Sequence, residues 1–384
     1  MSPDQTEQDG ASSNISVAAR FDRRGLMRGG AALGVGLAGV SALTRFGLAA
    51  QEDGTPTAAT AGGATAGIVD AANAFLETLT DDEKATGTFA FDDTAQRQRW
   101  SNFPPAGFDR AGLRWGDLGQ EAQEAWLAVM RVTLSEEGYD RVLKEWAADD
   151  ALLATEGTGG GFGRDNYYVA MIGDPDETEP WQWQWGGHHV TVNATVVGED
   201  LALTPSFIGA QPATYTDADG NEVKPLGDIE EDALALIGSL DADQLAAAVL
   251  GDAPIDLVLG PGQDGRQIQP EGLSGADMTD DQRTAFLTLI GHYTGLVNDA
   301  AAEVRRAEVE ADFDETYLAW YGPTTGENAA YWRVSGPTIV VEYAPQGSGR
   351  GGIGGATDVE HIHGIYRDPT NDYGARYTGI TIAS

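Results

Sequence analysis

The sequence predicts an α+β fold, a largely antiparallel β-sheet with packed α-helices, and three observations carry that reading. Helical apolar spacing dominates residues 68–153, a Gly-rich break follows over 157–163, and strand-like runs then alternate with two further helical stretches. Short, hairpin-like gaps between the strand runs favour antiparallel pairing.

Taken in order, residues 68–79 have helical spacing. Residues 121–153 carry Ala125, Trp126, Val129, Met130, Val132, Leu143 and Trp146 at the intervals of paired amphipathic helices. Residues 167–172 and 181–185 read as strands around an acidic turn at 173–180. The second alternates Trp and Gln strictly, which puts Trp181, Trp183 and Trp185 on one face. Residues 188–197 continue as a strand. Helices are expected over about 229–250 and 280–310, and strands over 317–320, 331–334, 338–343 and 361–366. No internal repeat is evident, and nothing in 67–384 reads as a linker, so that span is expected to be a single domain.

Composition narrows the partners. The chain of 384 residues carries a formal charge of −37, and only Lys84, Lys144 and Lys224 are lysines. Such a surface repels nucleic acid and anionic membranes. It fits life in high salt, where ions screen the self-repulsion, and equally an acidic secreted protein with arginine as its main cation. With no cysteine, disulfides, thiolate ligands and thiol nucleophiles are all excluded.

The first fifty residues read as a twin-arginine signal peptide. Arg23-Arg24 precedes a Gly- and Ala-rich apolar run over 29–43, too short for the roughly 20 residues of a membrane span, and Leu48-Ala49-Ala50 suits cleavage. The partners implied are the twin-arginine translocase during export and an extracellular substrate or ligand, with a secreted or cell-surface location and no stable membrane span. Residues 51–66 lack large apolar side chains and are expected to be a flexible spacer.

Four of the five histidines fall in two short clusters, His188-His189 and His361-Ile362-His363. On a strand His361 and His363 share a face, whereas His188 and His189 point to opposite faces, so one of the latter joins the pair easily. Completed by Glu342, such a set suits a divalent metal, Zn or Cu, with a position left for water. Arg367 and Asp368 follow, and either orient a substrate or metal-bound water as catalytic residues or tie down a loop. Three uses of the histidines stay open: a metal-dependent hydrolytic or oxidative enzyme, a ligand-binding protein without turnover, and simple bracing of the fold. Other patterns fail on context. Gly347-Ser348-Gly349-Arg350-Gly351-Gly352 has the dinucleotide spacing but no following helix, and residues 217–221 read as a hairpin turn, since Glu222 stands where a calcium loop needs Gly.

The chain resembles DUF3500, a family of secreted domains of unknown function. The likeness rests on Tyr167-Tyr168-Val169-Ala170, Trp183-Gln184-Trp185-Gly186-Gly187-His188-His189 and Thr204-Pro205-Ser206-Phe207-Ile208-Gly209-Ala210-Gln211-Pro212. It continues in Tyr331-Trp332-Arg333-Val334-Ser335-Gly336-Pro337 and in His361-Ile362-His363 through Arg367-Asp368 to Asn371-Asp372-Tyr373-Gly374. It covers about residues 70–380 and implies one domain with a shared site, without naming a reaction. The family pattern commonly has Asn before the His-x-His, where this chain has Glu360.

Overall fold

The computed structural model describes residues 63–326, 329–346 and 359–380. The expected signal peptide, residues 51–62 of the expected spacer and the Gly-rich motif at 347–352 lie outside those residues. The last four spacer residues belong to the domain. Thr65 Oγ1 donates to Gly198 O at 2.7 Å, and Asn298 Nδ2 donates to Ala64 O at 2.7 Å.

Eight strands form the body of a thirteen-stranded sheet: β1 (Tyr168–Ile172), β2 (Trp181–Gly186), β3 (Thr191–Val197), β4 (Ser206–Ala210), β5 (Tyr317–Tyr321), β6 (Tyr331–Ser335), β7 (Val340–Pro345) and β8 (Ile362–Arg367). They lie in the order β1-β2-β3-β4-β8-β7-β6-β5, with every neighbouring pair antiparallel. Among the described residues parallel pairing is confined to two short strands, Thr88–Phe89 on β1 and Val249–Gly251 on β5. The architecture is therefore the expected α+β.

The main helices are α1 (Ile68–Thr78), α2 (Gln120–Thr133), α3 (Glu136–Glu156), α4 (Gly227–Gly238), α5 (Asp280–Thr294) and α6 (Asp299–Ala311). The Trp face of β2 packs on the first three. Trp181, Trp183 and Trp185 are fully buried, and Trp183 and Trp185 meet Trp126 and Trp146 edge-to-face at 5.5 and 5.1 Å. Such pairs add about 0.5–1.5 kcal/mol each beyond area burial. The opposite face carries Gln182 and Gln184, also buried, under the chain from Gln96 to Arg110. Arg97 Nε donates to Gln182 Oε1 at 3.0 Å, and Gln184 Nε2 donates to Asn193 Oδ1 at 2.8 Å.

Two expectations about helices and one about a strand need correction. The stretches 229–250 and 280–310 each break into two helices, because Asp241 and Asn298 accept hydrogen bonds from backbone N–H groups three residues on and so start new helices. The expected strand 188–197 begins only at Thr191. Residues 187–190 are a hairpin turn, closed by Gly187 N donating to Val190 O at 3.0 Å.

The structure also reveals an internal repeat that the sequence reading missed. Each half supplies a first helix (α1, α4), then a short helix, a short strand parallel to the sheet, a helix pair (α2–α3, α5–α6), a three-strand meander and a last strand (β4, β8). The strand order is palindromic, and the halves meet where β4 pairs with β8. A second joint has the same symmetry. Leu134 bridges Val297, with Ser135 N donating to Leu296 O at 3.1 Å and Asn298 N to Thr133 O at 2.9 Å. An approximate two-fold relation thus runs through the domain.

The halves share a central strand pair and this second bridge, and each core takes residues from the other half: Leu296, Val297 and Ala301 in the first, Ile208 and Ala213 in the second. Calorimetry of the chain from residue 63 onward should show one cooperative transition. Two separated transitions, each assignable to one half, would refute that coupling.

Candidate metal centre

The meeting of β4 and β8 sets the site. His363 on β8 lies between Gly209 on β4 and Ala344 on β7, so neither neighbour crowds the imidazole. A Cβ at Gly209 would lie 2.8 Å from Ile362 O and 3.3 Å from the His363 ring, so the close approach needs glycine. His361, two residues earlier, projects to the same side, and the 187–190 turn delivers His189 from the first half. His361 Nε2 lies 3.2 Å from His189 Nε2 and 2.9 Å from His363 Nε2. Two nitrogens bound to one ion at about 2.0–2.1 Å, with angles between about 90° and 110°, are separated by about 2.9–3.4 Å. The three imidazoles therefore already have the spacing of a ligand set.

Charge and protonation suit the same use. His189 is fully buried and His363 nearly so. Burial, and next the charge of His188, bring the His189 imidazole down to about 4, against the opposing pull of Asp149. Burial and the neighbouring rings of His361, His189 and His188 hold His363 well below the ordinary imidazole value. Both rings are neutral at pH 7 and keep a lone pair to give.

Behind this trio stands Asp149, on the third helix. Its Oδ1 lies 2.9 Å from His188 Nδ1 and 3.4 Å from His189 Nδ1. Burial pushes its carboxyl up, but the bond from His188 and the nearby His189 ring outweigh that and hold it well below the usual carboxylate range. An anionic oxygen at His189 Nδ1 favours the tautomer whose Nε2 faces the other two histidines, the usual carboxylate–histidine–metal arrangement. On the far ring, Asn102 Nδ2 sits 3.2 Å from His363 Nδ1. Turning that amide over occupies the same volume and places its oxygen to accept from Nδ1–H, leaving Nε2 free.

Among the described residues two groups have metal-ligand geometry: His189, His361 and His363, and Asp149, His188 and His189. A buried His/Asp cluster that can hold a metal ion is thus present. Of the expected ligands, His189, His361 and His363 converge. His188 pairs instead with Asp149 and lies against His189, with ring centroids 3.6 Å apart and the planes tilted by 39°. The expectation that the adjacent histidines point apart fails because they lie in a turn.

Glu342 joins neither group. Its carboxylate accepts from Val258 N at 3.0 Å, Leu259 N at 2.7 Å and the Tyr331 hydroxyl. Arg367 lies about 13 Å along the strand from His363. It donates to Leu259 O, Gly260 O, Asp264 and Asp372. Asp368 accepts from Arg305 and from the Thr370 backbone and hydroxyl. These three residues fasten the 258–264 and 368–372 loops and do not reach the histidines.

Two contributors were not singled out from the sequence. Asp149 falls in the buried stripe of the third helix with Val142, Trp146 and Leu152, and an acid in an apolar stripe is a readable signal. Asn102 lies in an irregular polar segment and gives none.

The fold and site define an α+β domain with a buried His/Asp metal-type cluster shared between two related halves. The family model described as "Protein of unknown function (DUF3500)" matches residues 61–375, and the chain belongs to that family. No curated protein and no solved structure matches it.

One turn before Asp149, Glu145 is fully buried beside Arg141, 3.4 Å away. Burial raises its carboxyl to about 8 despite Arg141. The folded value lies above the unfolded one of 4.5, so the folded chain binds this proton more tightly. The stabilisation is complete below the unfolded value and is lost as pH rises through the folded one. Between about pH 5 and pH 8 the Tm of the native chain should therefore fall more steeply than that of Glu145→Gln. Parallel curves would rule the buried acid out as the cause.

Proposed function

We propose that this chain is an exported metal-dependent enzyme, in which His189, His361 and His363 hold one divalent ion, Zn or Cu, for hydrolytic or oxidative chemistry. The observation that carries the reading is the convergence of three Nε2 atoms, two of whose separations are 2.9 and 3.2 Å, with two of the rings buried and His361 partly so. A set of imidazoles without thiolate suits either metal. An ion so held supplies a Lewis acid that activates water or oxygen. Asp149 orients His189, and burial keeps the His189 and His363 rings unprotonated at neutral pH. With Glu342 committed elsewhere, three protein ligands leave a coordination position for water or substrate.

Metal analysis of the purified mature chain should find about one equivalent of transition metal per molecule. His361→Ala should abolish it, and Asp149→Asn should weaken it by about 10–100-fold. His292→Ala should leave it unchanged, since His292 bonds Asp232 at 2.7 Å away from the cluster. Metal that survives His361→Ala would make the histidines structural and favour a ligand-binding protein.

Export is part of the same proposal. It rests on Arg23-Arg24 ahead of the apolar run, and no helix among the described residues is long and apolar enough to cross a membrane. Replacing Arg23 and Arg24 together by Lys should strand a full-length precursor inside the cell. Normal secretion of that double variant, followed by immunoblot of medium and cells, would exclude the twin-arginine route.

A further inference from the structure

On the side of His189 away from His361 and His363, its second ring nitrogen faces another set of donors. Asp149 Oδ1 lies 2.9 Å from His188 Nδ1 and 3.4 Å from His189 Nδ1, and all three side chains are buried. These separations fall in the range of about 2.9–3.4 Å kept by two ligands of one ion at bonds of about 2.0–2.1 Å. Hydrogen bonding accounts for only part of the arrangement. His188 pairs with the carboxylate, whereas His189 Nδ1 is buried and makes no hydrogen bond. A buried polar atom left so is destabilising unless something binds it.

The surroundings hold these donors in place. Asp149 Oδ2 accepts from Gly163 N at 3.1 Å, which leaves Oδ1 to the two imidazoles. Phe162 lies against His188 with ring centroids 5.1 Å apart, and the Tyr167 hydroxyl accepts from His189 N at 3.3 Å.

We propose that His188 Nδ1, Asp149 Oδ1 and His189 Nδ1 form a second divalent-metal site, bridged to the first by His189 as an imidazolate. The proposal rests on the metal reading of His189, His361 and His363. An ion on Nε2 of His189 draws electron density from the ring and makes the proton on Nδ1 easier to displace. The second ion then takes that nitrogen. The Nδ1 proton of His189 leaves to solvent and that of His188 moves to its own Nε2, so both Nδ1 atoms offer a lone pair. Asp149 and the imidazolate together supply two negative charges for a divalent ion. The sites fill in order: one ion in the chain as purified, and a second when metal is in excess.

Copper titration of the metal-free mature chain, followed by electron paramagnetic resonance, tests the bridge. The first equivalent of Cu(II) should give an ordinary mononuclear signal. The second should bind and drive that signal toward zero, because an imidazolate couples the two spins antiferromagnetically. His188→Ala, which leaves the three Nε2 ligands in place, should bind one equivalent and keep its signal in excess copper; should that variant not fold, the native titration decides alone. A single equivalent with an undiminished signal, or a second whose spin simply adds to the first, overturns the bridge and leaves the three-histidine site standing. Coupling that survives in His188→Ala also overturns it. No stoichiometric copper at all overturns both.

Discussion

The antiparallel pairing of residues 206–210 with 362–367 is the constraint on which the rest depends. It closes two half-sheets into one, and its register, with His363 opposite Gly209, decides that His361 and His363 rise on the side where the 187–190 turn brings His189. A slip of one residue would send both imidazoles to the other face of the sheet. The flanking residues guard against that. Gly209 and Ala344 leave space for the His363 ring, whereas Ile208 already fills the volume beside Gly364.

Burial then converts this arrangement into chemistry. Water is excluded from His189 and His363, their charged imidazolium forms are disfavoured, and their lone pairs are left available. The same exclusion makes Asp149 a strong partner for His188 and His189, because a carboxylate in a low-dielectric site attracts an N–H more firmly than it would in water. The chain is heavily acidic, yet the acids here are few and each has an assigned contact: Asp149 with the histidines, Glu145 beside Arg141, Glu342 with the 258–259 backbone. Around Arg367 two further acids, Asp264 and Asp372, share one guanidinium.

Much of this was legible in the sequence, for identifiable reasons. Strict alternation of Trp and Gln over 181–185 fixed the strand and its two faces, and the helix pair at 120–156 followed from its apolar spacing. Scarcity made the histidine clusters conspicuous. What alternation could not reveal was the turn at 187–190, because Gly186-Gly187 and the apolar Val190 fit a continuous strand as well as a hairpin. Glu342 and Arg367 looked like site residues because both are charged groups on strands near the histidines. Their real partners, the loop backbone at 258–260 and the acids Asp264 and Asp372, are remote in sequence. The repeat was hidden for a related reason. Tyr168-x-Ala170-x-x-Gly173 and Tyr317-x-Ala319-x-x-Gly322 do echo each other, but the loops between elements differ in length, so no single spacing aligns the halves.

The near-symmetry bears on how such a chain acquires a site on one side only. In the second half Asp312 occupies the place of Asp149, fourteen residues after its helix cap, and Thr338 takes the turn position of His189, donating to Asp312 Oδ2 at 3.3 Å. The acid is kept and the imidazole is replaced by a hydroxyl. The molecule has the form of two like halves joined in one polypeptide. Asp149 faces an imidazole and Asp312 holds the equivalent turn in place, so the same joint carries a histidine in one half and plain scaffold in the other.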